Sequence, residues 1–351
     1  MPVSYVTASE NVQRKADHIH AALGEDVEFH TVTAGFERFR FVHEALPEID
    51  RAQVDTSANL FGRRLSMPFI ISPMTGGTPE AAEFNRRLAR AAQRFGIAMG
   101  VGSQRVALEN RALADTFRVR DLAPDILLFA NLGAVQLNNG CDVESCARAV
   151  DMIEADVLML HLNPLQECVQ VDGNTNFRKL SERIAEVCAG LDVPVVVKEV
   201  GHGISAATAR LLVDAGVDGI DVAGAGGTSW AKVEACRASD GELSSSGASL
   251  GEWGIPTVDS LCAVRGVAPH TIVVASGGIR SGEDVAKCIA LGADAAGAAL
   301  PLLRAAAVSA EALDAEIARF QEELATVMFC TGSRTIDDLR CCGSLVCAPG
   351  R

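Results

Sequence analysis

The densest group of chemically active side chains in this 351-residue chain is the segment HLNPLQE at residues 161–167. It combines the imidazole of His161, the amide of Gln166 and the carboxylate of Glu167. Magnesium usually takes one or two protein carboxylates and completes its shell with water and phosphate oxygens. The segment therefore predicts that Glu167 binds a divalent cation arriving with a phosphorylated ligand, and that Gln166 orients a polar ligand beside it.

A lysine ends another apolar segment, PVVVKEV at residues 194–200. Burying the Lys198 ammonium in such a run is costly unless something pairs with it. Its neighbour Glu199 is a poor partner, because adjacent residues of a strand point to opposite faces. An ion pair with another carboxylate would give Lys198 a structural role, but the pattern favours a lysine in an active site.

Two glycine-rich segments suggest anion binding. In SGGIRSGED, residues 276–284, the glycines and the start of a helix free backbone N–H groups beside Arg280. In AGAGGTSW, residues 223–230, glycines allow close approach of a flat or phosphorylated ligand, and Thr228 and Ser229 supply hydroxyls. A purely steric role for the first segment, and a flexible lid without ligand contacts for the insertion to about Pro256, are the structural alternatives.

The positions of these groups follow from eight short apolar segments. Continuous apolar runs of this length are typical of parallel strands buried on both faces. The segments are residues 68–73, 96–101, 125–132, 156–162, 193–200, 218–223, 271–276 and 293–300. Nearly all are followed by a glycine, a polar side chain or a cation, where a (β/α)8 barrel places its active site, often with a phosphate site after strands seven and eight.

Stretches with helical spacing separate these segments, at residues 79–95, 178–188, 205–215 and 282–291. The alternation predicts an α/β fold, a (β/α)8 TIM barrel with an N-terminal extension. A doubly wound open sheet is the rival, but no G-x-G-x-x-G follows any predicted strand. We predict a single domain at residues 1–351, with an extension at 1–64, the barrel core at 65–305, and a C-terminal helix and tail at 306–351.

Composition and net charge limit the kinds of molecule that this protein can bind. A net charge of −14 makes nucleic acid an unsuitable partner, since its binding needs a basic face. No apolar run spans a bilayer and the N-terminus lacks the apolar region of a signal peptide, so we expect a cytoplasmic protein without membrane contact. The 11 cysteines show no metal-binding spacing and are expected to be reduced, mostly buried thiols, with only Cys341, Cys342 and Cys347 accessible.

Seven motifs together resemble one enzyme family, the type 2 isopentenyl-diphosphate Δ-isomerases. They are MTGG at 74–77, GSQR at 102–105, NLG at 131–133, HLNPLQE at 161–167, VKEVGHGIS at 197–205, GGTSW at 226–230 and SGGIRSG at 276–282. The pattern Arg14-Lys15-x-x-His18-Ile19 fits the same family. The resemblance runs in order from about residue 14 to residue 303.

The resemblance implies an FMN-dependent barrel that interconverts isopentenyl and dimethylallyl diphosphate with Mg2+, that uses NADPH to reduce its flavin, and that forms homotetramers or homo-octamers. Catalysis would involve Gln166 and His161, and Glu167 would bind the metal. The substrate would be held by Arg14, Lys15, His18, Arg105, His161 and Gln166. FMN would contact Pro73, Met74, Thr75, Ser103, Asn131, Lys198 and Thr228, with its phosphate on Gly277, Gly278, Arg280, Ala298 and Ala299.

Three positions depart from the family pattern. Ala223 stands where the family often has a serine near the flavin phosphate, which removes one hydrogen bond. Pro73 replaces a small residue, restricting the backbone while leaving its carbonyl available. Asn174 stands where aspartate is common, so a charged role at that position is in doubt.

The implied reaction adds a proton at one terminal carbon of an alkene and removes one from another, with no net redox change. A weakly basic alkene needs an electron-rich neighbour in a water-poor pocket, which reduced flavin would provide. Flavin N5 is the hypothesis for the proton transfer, and a relay through Gln166 and Glu167 is the alternative.

Two other functions are compatible with parts of the sequence. The first is an FMN-dependent oxidase or dehydrogenase of 2-hydroxy acids, whose base usually lies in an H-G-G-R segment. The corresponding region here reads AGAGGTSW, with neither histidine nor arginine. The second is a flavin-binding redox sensor using the C-terminal cysteines, which predicts thiol-dependent behaviour and no turnover of isoprenoid diphosphates.

Overall fold

Eight parallel strands close into a barrel in the computed structural model, which describes residues 8–238 and 242–348. The barrel strands are β4 (Phe69–Ile71), β5 (Ala98–Gly100), β6 (Leu128–Gly133), β7 (Val157–His161), β8 (Val195–Lys198), β9 (Gly219–Asp221), β10 (Ile272–Ser276) and β11 (Ala295–Ala298). They pair in chain order, and β11 returns to β4. Seven of the strands lie within their predicted segments and β6 ends one residue beyond its segment, so the TIM barrel is confirmed and the open sheet is excluded.

Helices surround the barrel and extend beyond it. Their bounds are α1 (Ala8–Gly24), α2 (Pro79–Phe95), α3 (Arg105–Glu109), α4 (Val143–Ile153), α5 (Pro164–Val169), α6 (Leu180–Gly190), α7 (Ala206–Asp214), α8 (Trp230–Arg237), α9 (Glu242–Ser249), α10 (Thr257–Val267), α11 (Gly282–Ala290), α12 (Leu300–Val308), α13 (Ala310–Cys330) and α14 (Ile336–Cys341). Four strands lie outside the barrel: β1 (Phe39–Phe41), β2 (Ala58–Leu60), β3 (Arg63–Leu65) and β12 (Leu345–Cys347).

Helix α2 shows how local sequence sets these bounds. Thr78 caps the helix by accepting a hydrogen bond from the Ala81 amide at 3.0 Å, and Pro79 occupies the first turn, where its missing N–H is not needed. Gly96 ends the helix in the left-handed conformation, at φ 60°. The predicted bounds, residues 79–95, match the helix because both of its ends carry strong signals.

The N-terminal extension closes the bottom of the barrel. Strands β2 and β3 form a hairpin that places Leu60 and Leu65 in one apolar cluster with the barrel residues Ile70, Phe129 and Met159. Strand β1 pairs with β12 from the C-terminal tail, so the N-terminal extension contacts that tail. Of the predicted N-terminal and C-terminal regions, residues 1–7 and 349–351 lie outside the described residues.

The glycine-rich segment at residues 223–229 is a loop, as predicted, and the insertion after it contains α8 and α9, which pack against α5.

One prediction about the cysteines is wrong. The cysteines were expected to be mostly buried, yet only two of them are. Cys146 and Cys288 are buried, whereas Cys168, Cys236, Cys262, Cys341 and Cys347 are exposed.

Among the described residues, none of the helices has the length and apolarity to cross a membrane.

Candidate active site

A cleft opens at the carboxyl ends of the barrel strands, where parallel barrels carry their chemistry. Its cavity volume is about 230 Å³, and its mouth opens to solvent. All the predicted site residues line it: Arg14, Lys15, His18, Pro73, Met74, Thr75, Ser103, Arg105, Asn131, His161, Gln166, Glu167, Lys198, Thr228, Gly277, Gly278, Arg280, Ala298 and Ala299.

One end of the cleft is a glycine-lined anion site after β10. Gly277 and Gly278 have φ of 101° and 72°, a conformation that favours glycine, and a Cβ on Gly278 would lie 2.6 Å from the Gly226 carbonyl oxygen. Arg280 pairs with Glu28, which also binds Arg304. Ala299 precedes α12, so a helix N-terminus faces the same end. These groups suit a phosphate.

Buried polar groups line the adjacent floor. Lys198 is the last residue of β8 and is 6% exposed, and its Nζ donates to the main-chain oxygen of Glu199 at 2.5 Å. The Ser72 hydroxyl is buried without a partner among the described residues and lines the cleft. Buried polar atoms without partners are rare, so this hydroxyl and the lysine fit a ring system rich in polar atoms, such as a flavin.

His161 faces this floor as a neutral ring. Its Nδ1 lies 2.9 Å from Asn131 Oδ1, and the Asn131 amide donates to the Val101 carbonyl at 3.1 Å, which fixes the asparagine oxygen as the acceptor. Burial, with the nearby charges of Lys198 and Lys15, lowers the pKa of His161 to about 3. His161 therefore offers a neutral imidazole to a ligand and no positive charge.

Helix α1 covers the opposite end of the cleft with cations. Lys15 Nζ donates to the Ser103 carbonyl at 2.7 Å, and Arg14 lines the cleft near it. Burial, with repulsion from Arg14 and Arg105, lowers the pKa of Lys15 to about 7. Their spacing alone would place Arg14 and Lys15 in solvent on a helix surface. The fold instead brings Arg14, Lys15 and Arg105 together at one end of the cleft, an arrangement that suits an anionic ligand.

Glu234 on α8 links the catalytic candidates and was not predicted. Its Oε1 accepts from Gln166 Nε2 at 2.8 Å and lies 2.9 Å from His18 Nε2, and its Oε2 accepts from Arg237 at 2.5 Å. Burial alone would raise the pKa of Glu234, but the His18 and Gln166 hydrogen bonds and the Arg237 charge lower it to about 2. Glu234 is thus a buried carboxylate that fixes the Gln166 amide.

Gln170 extends this network to the cations of α1. With its amide nitrogen turned toward Glu234, it donates to Glu234 Oε1 at 3.1 Å and accepts from Arg14 Nη1 at 3.0 Å. The sequence did not indicate Glu234 or Gln170 as site residues. No pattern in it shows that the insertion containing Glu234 contacts the barrel.

The predicted metal ligand is held by neighbouring amides. Glu167 Oε1 accepts from Asn163 Nδ2 at 3.0 Å, and Oε2 accepts from the Asn174 main-chain N–H at 2.5 Å. The Asn163 side-chain oxygen is buried without a partner among the described residues. Within the same described residues, no group of three or more His, Cys, Asp or Glu could hold a metal. One carboxylate with a free amide oxygen suits a hard cation that brings further oxygen ligands.

Glu252, in the turn after α9, ties the N-terminal segment to the insertion. Its carboxylate accepts from the main-chain N–H groups of His30, Thr31 and Val32 at 2.9–3.2 Å, and from Lys232 Nζ at 2.6 Å. Burial opposes the charge, but these donors lower the pKa of Glu252 below its ordinary value. The contact fastens the chain directly after α1.

We expect Glu252→Ala to loosen this segment. Lost amide hydrogen bonds cost about 1–3 kcal/mol each, so exchange of the His30, Thr31 and Val32 amides should accelerate by about 10–100-fold. Hydrogen–deuterium exchange with fragment analysis measures the effect. Glu44→Ala, at an exposed position of the same N-terminal region, is the matched control and should change nothing. Equal protection in Glu252→Ala and wild type would contradict a fastening role.

Two of the departures from the family pattern line the cleft. Ala223 adopts φ 35°, unusual for a residue with a side chain, and its N–H donates to Asp221 at 3.2 Å. Pro73 packs on the backbone of β5, since a Cβ on Gly100 would lie 2.5 Å from the Pro73 ring. Asn174 contacts Glu167 through its main chain, so this contact does not depend on the side chain at position 174.

Comparison with known proteins gives a consistent family. The sequence profile described as FMN-dependent dehydrogenase matches residues 8–117 and 161–342. A protein of Nostoc sp. named isopentenyl-diphosphate delta-isomerase is 54% identical over 342 residues, covering 97% of this chain and 98% of that protein. Proteins of the same name from Synechococcus sp. and Rickettsia bellii are 54% and 49% identical, covering 92% and 94% of this chain and 92% and 96% of theirs.

Solved structures with the same fold include mandelate oxidases. One carrying a monooxide FMN adduct superposes with a TM-score of 0.65 at 21% identity, covering 97% of this chain and 100% of that chain. Another, with (S)-2-phenylpropionate, has a TM-score of 0.64 at 21% identity, covering 99% of both chains. At this identity the likeness establishes the barrel fold alone.

Proposed function

Since this chain belongs to the FMN-dependent dehydrogenase family and, within it, to the isopentenyl-diphosphate delta-isomerases, we propose that it binds FMN and interconverts isopentenyl and dimethylallyl diphosphate by a redox-neutral 1,3-proton shift. One observation carries the proposal. The cleft has two ends that suit anions, one lined by Gly277, Gly278 and Arg280 and the other by cations of α1 and α3. The first end suits a flavin phosphate and the second a diphosphate.

The flavin would lie on the buried floor between these ends. Lys198, Asn131, Ser103, Thr228 and residues 73–75 would contact the ring, and Gly277, Gly278, Arg280, Ala298 and Ala299 would hold its phosphate. Reduced FMN supplies electron density for the positive charge that develops when an alkene is protonated, and an exchangeable proton at N5.

The remaining chemistry belongs to side chains of this protein. Glu234 accepts a hydrogen bond from Gln166 Nε2, and Asn163 Nδ2 donates to Gln166 Oε1 at 3.0 Å, so both ends of the Gln166 amide are held in place. His161 carries no positive charge and can interact with a ligand only through hydrogen bonds of its imidazole ring. Helix α1 covers the cleft and excludes water, which strengthens every electrostatic contact inside.

We propose that Mg2+ binds Glu167 and the Asn163 oxygen together with substrate phosphate oxygens. The lone carboxylate supports this, because a cation with so few protein ligands obtains its other ligands from water and from phosphate oxygens of the substrate. NADPH as the reductant of the flavin and a homotetrameric or homo-octameric assembly are proposed from the family resemblance alone.

An anaerobic assay tests the function directly. The protein is incubated with isopentenyl diphosphate, FMN and Mg2+, with or without NADPH or dithionite, and products are followed by proton NMR in D2O. We expect dimethylallyl diphosphate and deuterium uptake only with reduced flavin, and loss of turnover on adding a chelator. Absence of product from reduced, flavin-loaded protein would refute the isomerase.

The oxidase alternative is tested in the same preparation with a 2-hydroxy acid in place of the diphosphate. It predicts bleaching of oxidised FMN by the hydroxy acid. We expect none, because the glycine loop at residues 223–230 supplies no histidine to take the hydroxyl proton.

The pKa of Lys15 predicts how KM depends on pH. Lysine near its pKa of about 7 loses its charge as pH rises, so KM for the diphosphate should increase between pH 7 and pH 9. A charge-assisted hydrogen bond is worth about 1.5–3 kcal/mol, so the increase should approach 10–100-fold. Lys15→Arg keeps a cation at all these values and should give a flat profile, whereas Lys15→Met should show a high, flat KM. A wild-type KM that is independent of pH in this range would contradict the role of Lys15.

A further inference from the structure

Three consecutive barrel strands end in ionisable residues. His161, Lys198 and Asp221 are the last residues of β7, β8 and β9, and they are register partners across the sheet. Register partners in a sheet present their side chains to the same face. Lys198 and His161 line the cleft, whereas Asp221 is 1% exposed. The row therefore places the buried carboxylate of Asp221 beside Lys198, which lies on the floor of the proposed flavin site.

Asp221 is the carboxylate best placed to balance the Lys198 charge. On the β7 side, His161 is neutral, because burial, with the charges of Lys198 and Lys15, lowers its pKa to about 3. On β8, the Glu199 carboxylate also attracts Lys198, but it is engaged by the amides of Val200, Gly201 and His202 at 2.5–2.8 Å. On the β9 side, Asp221 faces Lys198 from the same row.

The Asp221 carboxylate is held in place by two donors. The Ser276 hydroxyl donates to its Oδ1 at 2.7 Å, and the Ala223 N–H donates to the same atom at 3.2 Å. Burial lowers the pKa of Lys198 and raises the pKa of Asp221, while each charge opposes the effect of burial on the other. Either charge alone would be expensive at this depth, so each depends on the other.

We propose that Asp221 is a positioning residue that holds the Lys198 ammonium as a cation beneath the flavin and thereby favours binding of reduced over oxidised FMN. The proposal rests on the proposed function only in placing FMN in this cleft. Reduced FMN gains negative charge on its ring, so a cation on the floor attracts it more than the oxidised form. Asp221 acts through Lys198 because Lys198 lines the cleft whereas Asp221, which is 1% exposed, does not.

The test is the midpoint potential of bound FMN in Asp221→Asn. Without the carboxylate, Lys198 loses its proton, and reduced FMN should bind at least tenfold more weakly relative to oxidised FMN. For a two-electron couple this is about 30 mV toward more negative potential. The shift should shrink as pH falls, because acid restores the Lys198 charge. Asp218→Asn is the matched control. Asp218 lies just before the other end of β9, accepts from the Val195 amide at 2.8 Å, and should leave the potential unchanged.

A double-variant cycle separates coupling from structural damage. In a Lys198→Met background, adding Asp221→Asn should change the potential no further, and thermal unfolding of each variant reports folding independently. An unchanged potential in Asp221→Asn, or an undiminished effect in the Lys198→Met background, would overturn the inference. Turnover of isopentenyl diphosphate by wild type, assayed in parallel, shows that such a result leaves the proposed function standing.

Discussion

Replacing Glu234 by glutamine is expected to lower kcat for the isomerisation by about 100-fold, the cost of displacing a positioned group in an active site by about 1 Å. The reason is geometric. Glu234 Oε1 faces the hydrogens of Gln166, while Oε2 faces the guanidinium of Arg237. A glutamine has one acceptor and one donor end, so its NH2 group must point at one of these donors. Either orientation displaces Gln166 or Arg237.

Affinity for FMN provides the internal standard for this prediction. The glycine-lined end of the cleft has no contact with Glu234 among the hydrogen bonds described, so FMN Kd should stay within about twofold. Glu182→Gln, an exposed glutamate paired only with Lys179, is the matched control and should keep full activity. The measurements are kcat and KM by NMR and FMN Kd by fluorescence. A Glu234→Gln enzyme with wild-type kcat would show that Gln166 needs no fixed orientation.

The barrel could be predicted from the sequence because burial on both faces leaves a simple pattern. Strands such as β8 read as unbroken aliphatic runs, and the glycines and cations that follow them mark the catalytic end. The site residues within these segments, such as Lys198 and His161, could be identified because chain position along a strand decides which end of the barrel a residue reaches.

Other features of the site depend on long-range packing that no local pattern encodes. Glu234 meets Gln166 although 68 residues separate them, and Asp221 joins Lys198 only through the pairing of β8 with β9. Read alone, Asp221 is simply a polar residue at the end of a short strand. The cations of α1 are a similar case, since the family resemblance, and not their spacing, predicted that they face the cleft.

Substituting alanine for Gly278 is expected to weaken FMN binding by at least 100-fold, the other large effect that the structure predicts. The new Cβ would lie 2.6 Å from the Gly226 oxygen and 2.9 Å from the Ala34 Cβ. Real Cβ atoms do not approach other atoms so closely, so the loop must move. In the proposed complex this loop holds the FMN phosphate, and loss of two or more charge-assisted hydrogen bonds at about 1.5–3 kcal/mol each accounts for the expected loss of affinity.

Any residue with a side chain is strained at the positive φ of Gly278. The free-energy cost of this strain must be separated from that of the steric collision of the new Cβ. Gly62, in the β2–β3 turn, has φ 76°, close to the 72° of Gly278, and open space where its Cβ would be. Gly62→Ala therefore carries only the strain of a positive φ, about 1–2 kcal/mol of stability, and should bind FMN normally. Titration of both variants with FMN, alongside thermal unfolding, distinguishes the two costs. If Gly278→Ala and Gly62→Ala bind FMN equally well, the phosphate does not lie on the Gly277–Gly278 turn, because a loop displaced at its centre cannot keep the same set of donors in place.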